Sequence, residues 1–319
     1  MFAAIIIDEY VQARGETQGG IWAGAWHKPW TCMNLLGKSP LHRFKESLKQ
    51  AGFESVSVVV NHSESPSIDI PVAPVVDLAT ARLAHYKREG FETVLISRLG
   101  PYVELSFDEM FEVHQQCGEG ITRVATEQGL LDVWMLDCAR FGNDQPILPA
   151  LRAANPPTYQ SQRYVNPLES AGDLRRLVVD SFNSRCCLRP EGNEIKPGVW
   201  ICEGAQIERS ARIVAPAFIG RAVQISEDCL VTRCSNIEHD SFVDFGTAVE
   251  DSSIMPNSYI GIGLDLSHSI VDGRYLSNLR HNVTLQITDP VVMRQNPGHE
   301  ADRRSWAKAE RSEMALTAE

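Results

Sequence analysis

The chain has 319 residues, is 43% hydrophobic and 22% charged, and carries a formal net charge of -11, which is ordinary globular composition with room for two domains. An acidic balance argues against a surface built for nucleic acid or an anionic membrane, since both require clustered cations. No run of about 18 apolar residues is present to span a bilayer, and Met1 leads straight into Phe2–Ile7 without a basic region or cleavage site, so no signal peptide and a cytoplasmic location are expected.

The first half alternates strand and helix. Phe2 to Ile7 is a continuous apolar run, as a buried parallel strand would be. Ser39-Pro40 starts a helix, Leu41, Phe44, Leu48 and Ala51 make its apolar face, and Gly52 closes it. Val56–Val60 is the next strand, a helix follows over 77–89, and Phe91–Ser97 is a third strand. Ser106-x-x-Glu109 reads as a capping box opening a helix through Gln116. Residues 120–126 and 131–137 read as further strands. This order predicts a mostly parallel, Rossmann-like sheet covered on both faces. Between the halves, Asn155-Pro156-Pro157 begins a polar linker, and a helix is expected near 169–184.

From Ile195 the chain repeats every six residues: Ile195, Ile201, Ile207, Ile213, Ile219, Ile225, Val231, Ile237, Val243 and Val249. Four residues after each stands a small or β-branched residue, from Val199 and Ala205 to Thr247 and Ser253. A triangular coil of three short strands has this need, with one aliphatic residue inward per face and a small one beside each corner. The spacing therefore predicts a left-handed parallel β-helix of hexapeptide repeats, in which each coil buries its edges only against the next. The register slips by one residue near Ser252, continuing at Ile254, Ile260 and Leu266. The expected organisation is α/β + β: a truncated α/β domain over 1–150, a linker with a helix over 151–193, the β-helix over 194–290 and a polar tail over 291–319.

The eight cysteines (Cys32, Cys117, Cys138, Cys186, Cys187, Cys202, Cys229 and Cys234) form no C-x-x-C pair, so neither zinc nor a redox motif is expected. Trp22, Trp26 and Trp30 recur every fourth residue among glycines. They are read either as an aromatic platform for a base or sugar or as indoles pinning a loop.

A Rossmann-like domain followed by hexapeptide coils resembles the nucleotide-sugar pyrophosphorylases of the mannose-1-phosphate guanylyltransferase type. The likeness rests on the Phe2–Ile7 strand, His27-Lys28-Pro29, Gly37-Lys38-Ser39-Pro40-Leu41 and the strand ending in Val58-Val59-Val60-Asn61. It implies that Lys28 faces the phosphates, that Arg14 takes the part of the phosphate loop's basic residue, and that Asp132 matches a magnesium-binding aspartate. Magnesium is implied only for an active nucleotidyltransferase site. Three departures stand against activity. The segment after the first strand, Asp8-Glu9-Tyr10-Val11-Gln12-Ala13-Arg14-Gly15, lacks the glycines that let backbone amides reach phosphate. Arg98 falls where the family places its other metal aspartate, and could itself neutralise a bound phosphate. Glu104 and Asp108 are weaker substitutes for that ligand. The sugar-binding region is also far shorter than the family's.

The expectation is a nucleotidyltransferase-like protein of sugar-nucleotide or surface-polysaccharide metabolism, catalytically impaired, that binds a nucleotide sugar, a sugar phosphate or a related enzyme. A homo-oligomer built through the coils is also expected. The alternative left open is a hexapeptide acyltransferase using His239 or His268 of the coils as general base.

Overall fold

The computed structural model describes residues 1–8, 33–60, 75–140 and 146–296, which form a mixed α/β protein with many parallel strands in several sheets. Arg14, Lys28 and the three tryptophans of the 22–30 segment lie outside the described residues, as does the tail from 297. The described residues divide into two units, one of 1–8 and 40–169, the other of 33–39 and 170–296.

The first unit is built in the order β1 (Phe2–Asp8), α1 (Pro40–Gln50), β2 (Ser55–Val60), α2 (Val75–Glu89), β3 (Thr93–Arg98), β4 (Tyr102–Val103) and α3 (Phe107–Cys117). It continues with β5 (Ile121–Thr126), β6 (Gly129–Asp137), α4 (Ile147–Ala153), β7 (Thr158–Gln160) and β8 (Val165–Asn166). Six strands form one sheet in the order β2-β1-β3-β6-β5-β7, and β4 pairs separately with β8.

β1 lies parallel to both β2 and β3, as its unbroken apolar run requires, and Ala3 to Ile7 are fully buried. Alternate residues serve opposite faces. Ala3, Ile5 and Ile7 pack with Leu83 of α2 and Leu148 of α4, whereas Ala4 and Ile6 pack with Leu48 of α1 and Met110 of α3. The other half of the sheet departs from the parallel expectation, because β6 runs antiparallel to β3 and to β5. Its two strands are joined by a short turn at Glu127-Gln128, and a connection that short can only reverse the chain. β7 then pairs parallel to β5, so residues 158–160, expected in the linker, belong to the sheet.

The expected capping box at Ser106 is not formed. Ser106 is the N-cap residue but makes no side-chain capping bond, and Glu109 instead accepts a hydrogen bond from Tyr159 Oη at 2.8 Å. The capping box in the structure opens α5 (Ala171–Phe182), where Ser170 Oγ accepts from Asp173 N and Asp173 Oδ2 accepts from Ser170 N.

In the second unit β9 (Asn193–Lys196) is followed by a chain that visits three sheets in rotation. The first turns are β10 (Val199–Ile201), β11 (Gln206–Ile207), β12 (Arg212–Ile213), β13 (Ala217–Ile219), β14 (Gln224–Ile225) and β15 (Leu230–Thr232). The next are β16 (Ser235–Ile237), β17 (Phe242–Val243), β18 (Ala248–Glu250), β19 (Ser253–Ile254), β20 (Ser258–Ile260) and β21 (Asp265–Ser267). The stack ends in β22 (Ser269–Asp272), β23 (Tyr275–Asn278), β24 (Val283–Gln286) and β25 (Met293–Gln295).

From β10 to β19 each strand pairs parallel with the third one after it, so Ile219 stacks on Ile237, Ile225 on Val243 and Val231 on Val249. The hexad aliphatics from Ile213 onward are buried and form one core. Ile201 and Ile207 are partly buried against that core, whereas Ile195, ahead of the coils, is exposed. The slip near Ser252 is real: Ile237 pairs with Ile254 and Val243 with Ile260, each one residue closer than in the coils before. β25 pairs antiparallel with β20, so the expected polar tail begins by closing a sheet edge.

The small residues by the corners have a second use in the later coils. Ser235 Oγ donates to Val249 O at 3.1 Å and accepts from Ser252 N at 3.1 Å. Ser241 repeats the pattern with Met255 O and Ser258 N, Thr247 with Gly261 O and Leu264 N, and Ser252 with Leu266 O and Ser269 N. Tight corners leave backbone groups without ladder partners, and a buried orphan costs about 1–3 kcal/mol. A hydroxyl fills the space of an alanine and satisfies both groups.

Candidate functional site

In the first unit β1 leads through α1 to β2 on one side and β3 lies on its other side, with α1 and α2 on opposite faces of the sheet. The strand order therefore reverses between β1 and β3, and the carboxyl ends of these strands are where open α/β sheets take their ligands. Arg98 is the last residue of β3, paired in register with Ile7 of β1. On the other side β6 brings Asp132 close to it, and Arg98 Nη1 donates to Asp132 Oδ2 at 3.3 Å.

Two further arginines reach the same carboxylate. Arg123 of β5 donates from Nη2 to Oδ1 at 2.9 Å, and Arg152 of α4 from Nη2 to Oδ2 at 3.1 Å. Arg123 is the fixed member, since its Nε donates to Leu131 O at 2.8 Å and its guanidinium lies 5.1 Å from the centre of the Trp134 ring. Its side chain is 15% exposed, against 40% for Arg98 and 42% for Arg152. The two residues placed by sequence at the metal positions are thus together, but as an ion pair inside an arginine cluster. Both oxygens of Asp132 are engaged by cations, and an approaching dication would meet three positive charges. Glu104 accepts from Tyr102 Oη at 3.1 Å and Asp108 lies exposed in the first turn of α3. Among the described residues no group of His, Cys, Asp and Glu side chains could hold a metal ion.

In the second unit a buried polar chain runs across the coils. Glu238, which is fully buried, accepts from Leu36 N at 2.7 Å, Gly37 N at 3.0 Å and Asn236 Nδ2 at 2.7 Å. Leu36 and Gly37 both have positive φ, a turn that aims successive amides at one anion. A Cβ on Gly37 would come within 2.7 Å of Glu191 Cβ, so glycine is required there twice over. Asn236 Oδ1 accepts from Ser253 Oγ at 2.5 Å, and both lie close to the Arg175 guanidinium.

Arg175, on the buried face of α5, donates from Nη2 to Asp251 Oδ1 at 2.8 Å and to Cys234 O at 2.8 Å. Burial works to lower its pKa and the bond to Asp251 works against that. Asp251 Oδ2 lies 2.5 Å from His268 Nδ1, whose side chain is 39% exposed. The other candidate histidine has a different setting. His239 Nε2 lies 3.0 Å from Asn34 Nδ2, while its Nδ1 is buried without a hydrogen-bond partner. Burial lowers the His239 pKa, Asp240 opposes this and Arg221 adds to it.

Sequence reasoning reached Arg98, Asp132, His239 and His268 but missed Arg123, Arg152, Arg175 and Glu238. Arg175 left a signal. It shares the i, i+3, i+4, i+7 stripe with Ala171, Leu174 and Val178, where a cation must find a buried partner. Arg123 and Arg152 left none, since their convergence depends on how β5 and α4 are placed.

No protein-family model matches the chain, and no curated protein matches it. Among the described residues no helix is long and apolar enough to cross a membrane.

Proposed function

We propose that this is a nucleotide-sugar pyrophosphorylase-like protein that binds a nucleotide sugar or sugar phosphate without carrying out magnesium-dependent nucleotidyl transfer. In this reading the first unit is a Rossmann-like nucleotidyltransferase domain and the coils form a left-handed parallel β-helix that mediates assembly into a homo-oligomer. The observation that carries it is the arginine cluster. The carboxylate expected to hold magnesium is engaged by Arg98, Arg123 and Arg152 at the carboxyl end of β3, where a phosphate is a better fit than a cation.

The test is a thermal-shift screen with nucleotide sugars, nucleoside triphosphates and acetyl-CoA, each with magnesium or with EDTA. A ligand at a hundred times its dissociation constant adds about 2.7 kcal/mol to a native state that alone binds it. Stabilisation by a nucleotide sugar in EDTA is the expected result. Magnesium-dependent release of pyrophosphate refutes the reading.

One observation favours the alternative, an acyltransferase of the coils. His268 has its Nδ1 against Asp251, which Arg175 holds in turn, and this arrangement suits a histidine that accepts a proton at Nε2. Stabilisation by acetyl-CoA alone, abolished in His268→Gln, is its test.

A further inference from the structure

We infer that the outer edge of β24 is an interface, at which a second copy of this chain pairs antiparallel about a two-fold axis at Leu285. This interface deepens the homo-oligomer of the reading above, on which it rests, and is independent of the ligand. β24 ends the eight-stranded sheet of the coils, and among the described residues no strand pairs with its outer side. Ile287 N donates to Arg274 O at 2.8 Å, in register with the pairing of β23 and β24. Val283, Leu285 and Ile287 therefore bond inward, and Thr284 and Gln286 turn their N–H and C=O groups outward. Val283 and Leu285 lie opposite Asn278 and Leu276, and Leu276 packs against the core of the coils. Their side chains thus continue the inner face of the sheet past the last coil, where they are 43% and 48% exposed.

An open edge invites pairing, and proteins that stay monomeric blunt it with charge or proline. The opposite end of this sheet is blunted, since β9 is exposed throughout and carries Glu194 and Lys196. Residues 282–288 carry neither charge nor proline. The flanks of this stretch have opposite signs, with Arg280 before it and Asp289 after it, both exposed. Antiparallel pairing about Leu285 brings the Arg280 end of each copy to the Asp289 end of the other, whereas parallel pairing sets like charges together. It also sets Thr284 against the partner's Gln286, so that the outward groups of both exchange N–H···O bonds. Leu285 meets its own copy at the axis, in a pair without such bonds, where side chains come closest. The contact is the same patch on both copies and closes on itself, which gives a pair and not a filament.

The experiment is sedimentation velocity of the full chain over a wide range of concentration, with wild type expected to sediment as a dimer. Leu285→Lys sets two ammonium groups face to face and should raise the dimer dissociation constant at least about tenfold, equivalent to about 1.4 kcal/mol. Thr284→Pro removes an N–H that the single chain turns outward, so it should fold and fail to pair. Arg280→Glu should weaken the dimer several-fold, and less so at high salt. Ile195→Lys, at the far edge of the same sheet, should change nothing. Cross-linking reads the axis without weakening the contact. Under mild oxidation Leu285→Cys should form a linked dimer, because Cα atoms about 4.5–5.5 Å apart suit a disulfide. Val283→Cys should not exceed the background that the eight native cysteines give, since its counterpart lies about 13 Å along the paired strand.

A monomeric wild type overturns the interface. So do a dimer that survives both Leu285→Lys and Thr284→Pro, a dimer lost in Ile195→Lys, or cross-linking as strong at position 283 as at 285. Nucleotide-sugar binding by a monomer overturns the interface and leaves the proposed ligand standing. A dimer that dissociates with the β24 variants and binds no nucleotide sugar supports the interface and removes the proposed ligand.

Discussion

Replacing Arg175 by methionine keeps most of the side chain's volume and removes its charge and its donors. Four hydrogen bonds of 3.3 Å or less are lost, two to Asp251 Oδ1 and one each to Arg233 O and Cys234 O. Breaking a buried ion pair from one side costs about 3–5 kcal/mol, chiefly because the remaining charge and carbonyls stay out of water. Asp251 keeps His268 as a neighbour and is only part-buried, so the lower end, about 3 kcal/mol, is expected. For a unit of this size that corresponds to roughly 6–12 °C in melting temperature.

The assay is thermal and urea unfolding of Arg175→Met, Arg175→Lys, Asp251→Asn and the Arg175→Met/Asp251→Asn double variant, followed by circular dichroism. The lysine variant should lose about half as much, since it keeps the charge but not the fork. The double variant should be more stable than the two single losses added together, with a coupling of at least about 1 kcal/mol. A loss below about 1 kcal/mol in Arg175→Met, or additive single effects, would show that this network does not hold α5 against the coils.

Other consequences can be checked separately. Glu238→Gln replaces an anion that accepts three N–H donors by an amide that must turn an NH₂ toward one of them. Amide exchange at Leu36 and Gly37 should rise at least tenfold, for a loss of about 2 kcal/mol, and unchanged exchange would refute the clamp. Because burial lowers the His239 pKa, the unfolded chain binds its proton more readily than the fold does. His239 should therefore cost nothing above about pH 6.5 and destabilise increasingly as pH falls through that value toward its folded pKa. His239→Gln should flatten the melting-temperature profile between about pH 7 and 5, and an unaltered slope counts against the assignment.

Burial and the bond to Glu109 push the Tyr159 hydroxyl up to about 12, so the fold holds this proton longer than the unfolded chain. That contribution is complete below about pH 10 and lost as pH rises through the folded value, and absorbance titration of wild type against Tyr159→Phe reads it directly.

The hexad of aliphatic residues determined by itself where the coiled segment runs and where its register slips. Its period is imposed locally, by the inward position of each short strand, and survives without knowledge of any partner. The β1 run and the amphipathic face of α1 were legible for the same reason. Arg98 and Asp132 could be singled out from sequence, but not what they do to one another. Expected at the two metal positions that the resemblance implies, they are neighbours on β3 and β6 because a two-residue turn sends β6 back antiparallel. The arginines that complete the cluster come from strand and helix positions 25 and 54 residues beyond Arg98, and no local pattern couples such distant side chains. The same holds for Glu238, an ordinary corner residue in the hexad, which becomes a buried clamp because residues 34–37 fold back some 200 positions to present two amides to it. Periodicity reports what each residue faces within its own element. Which charges meet, and whether a carboxylate ends among cations or near a metal, is decided by long-range closure of the chain.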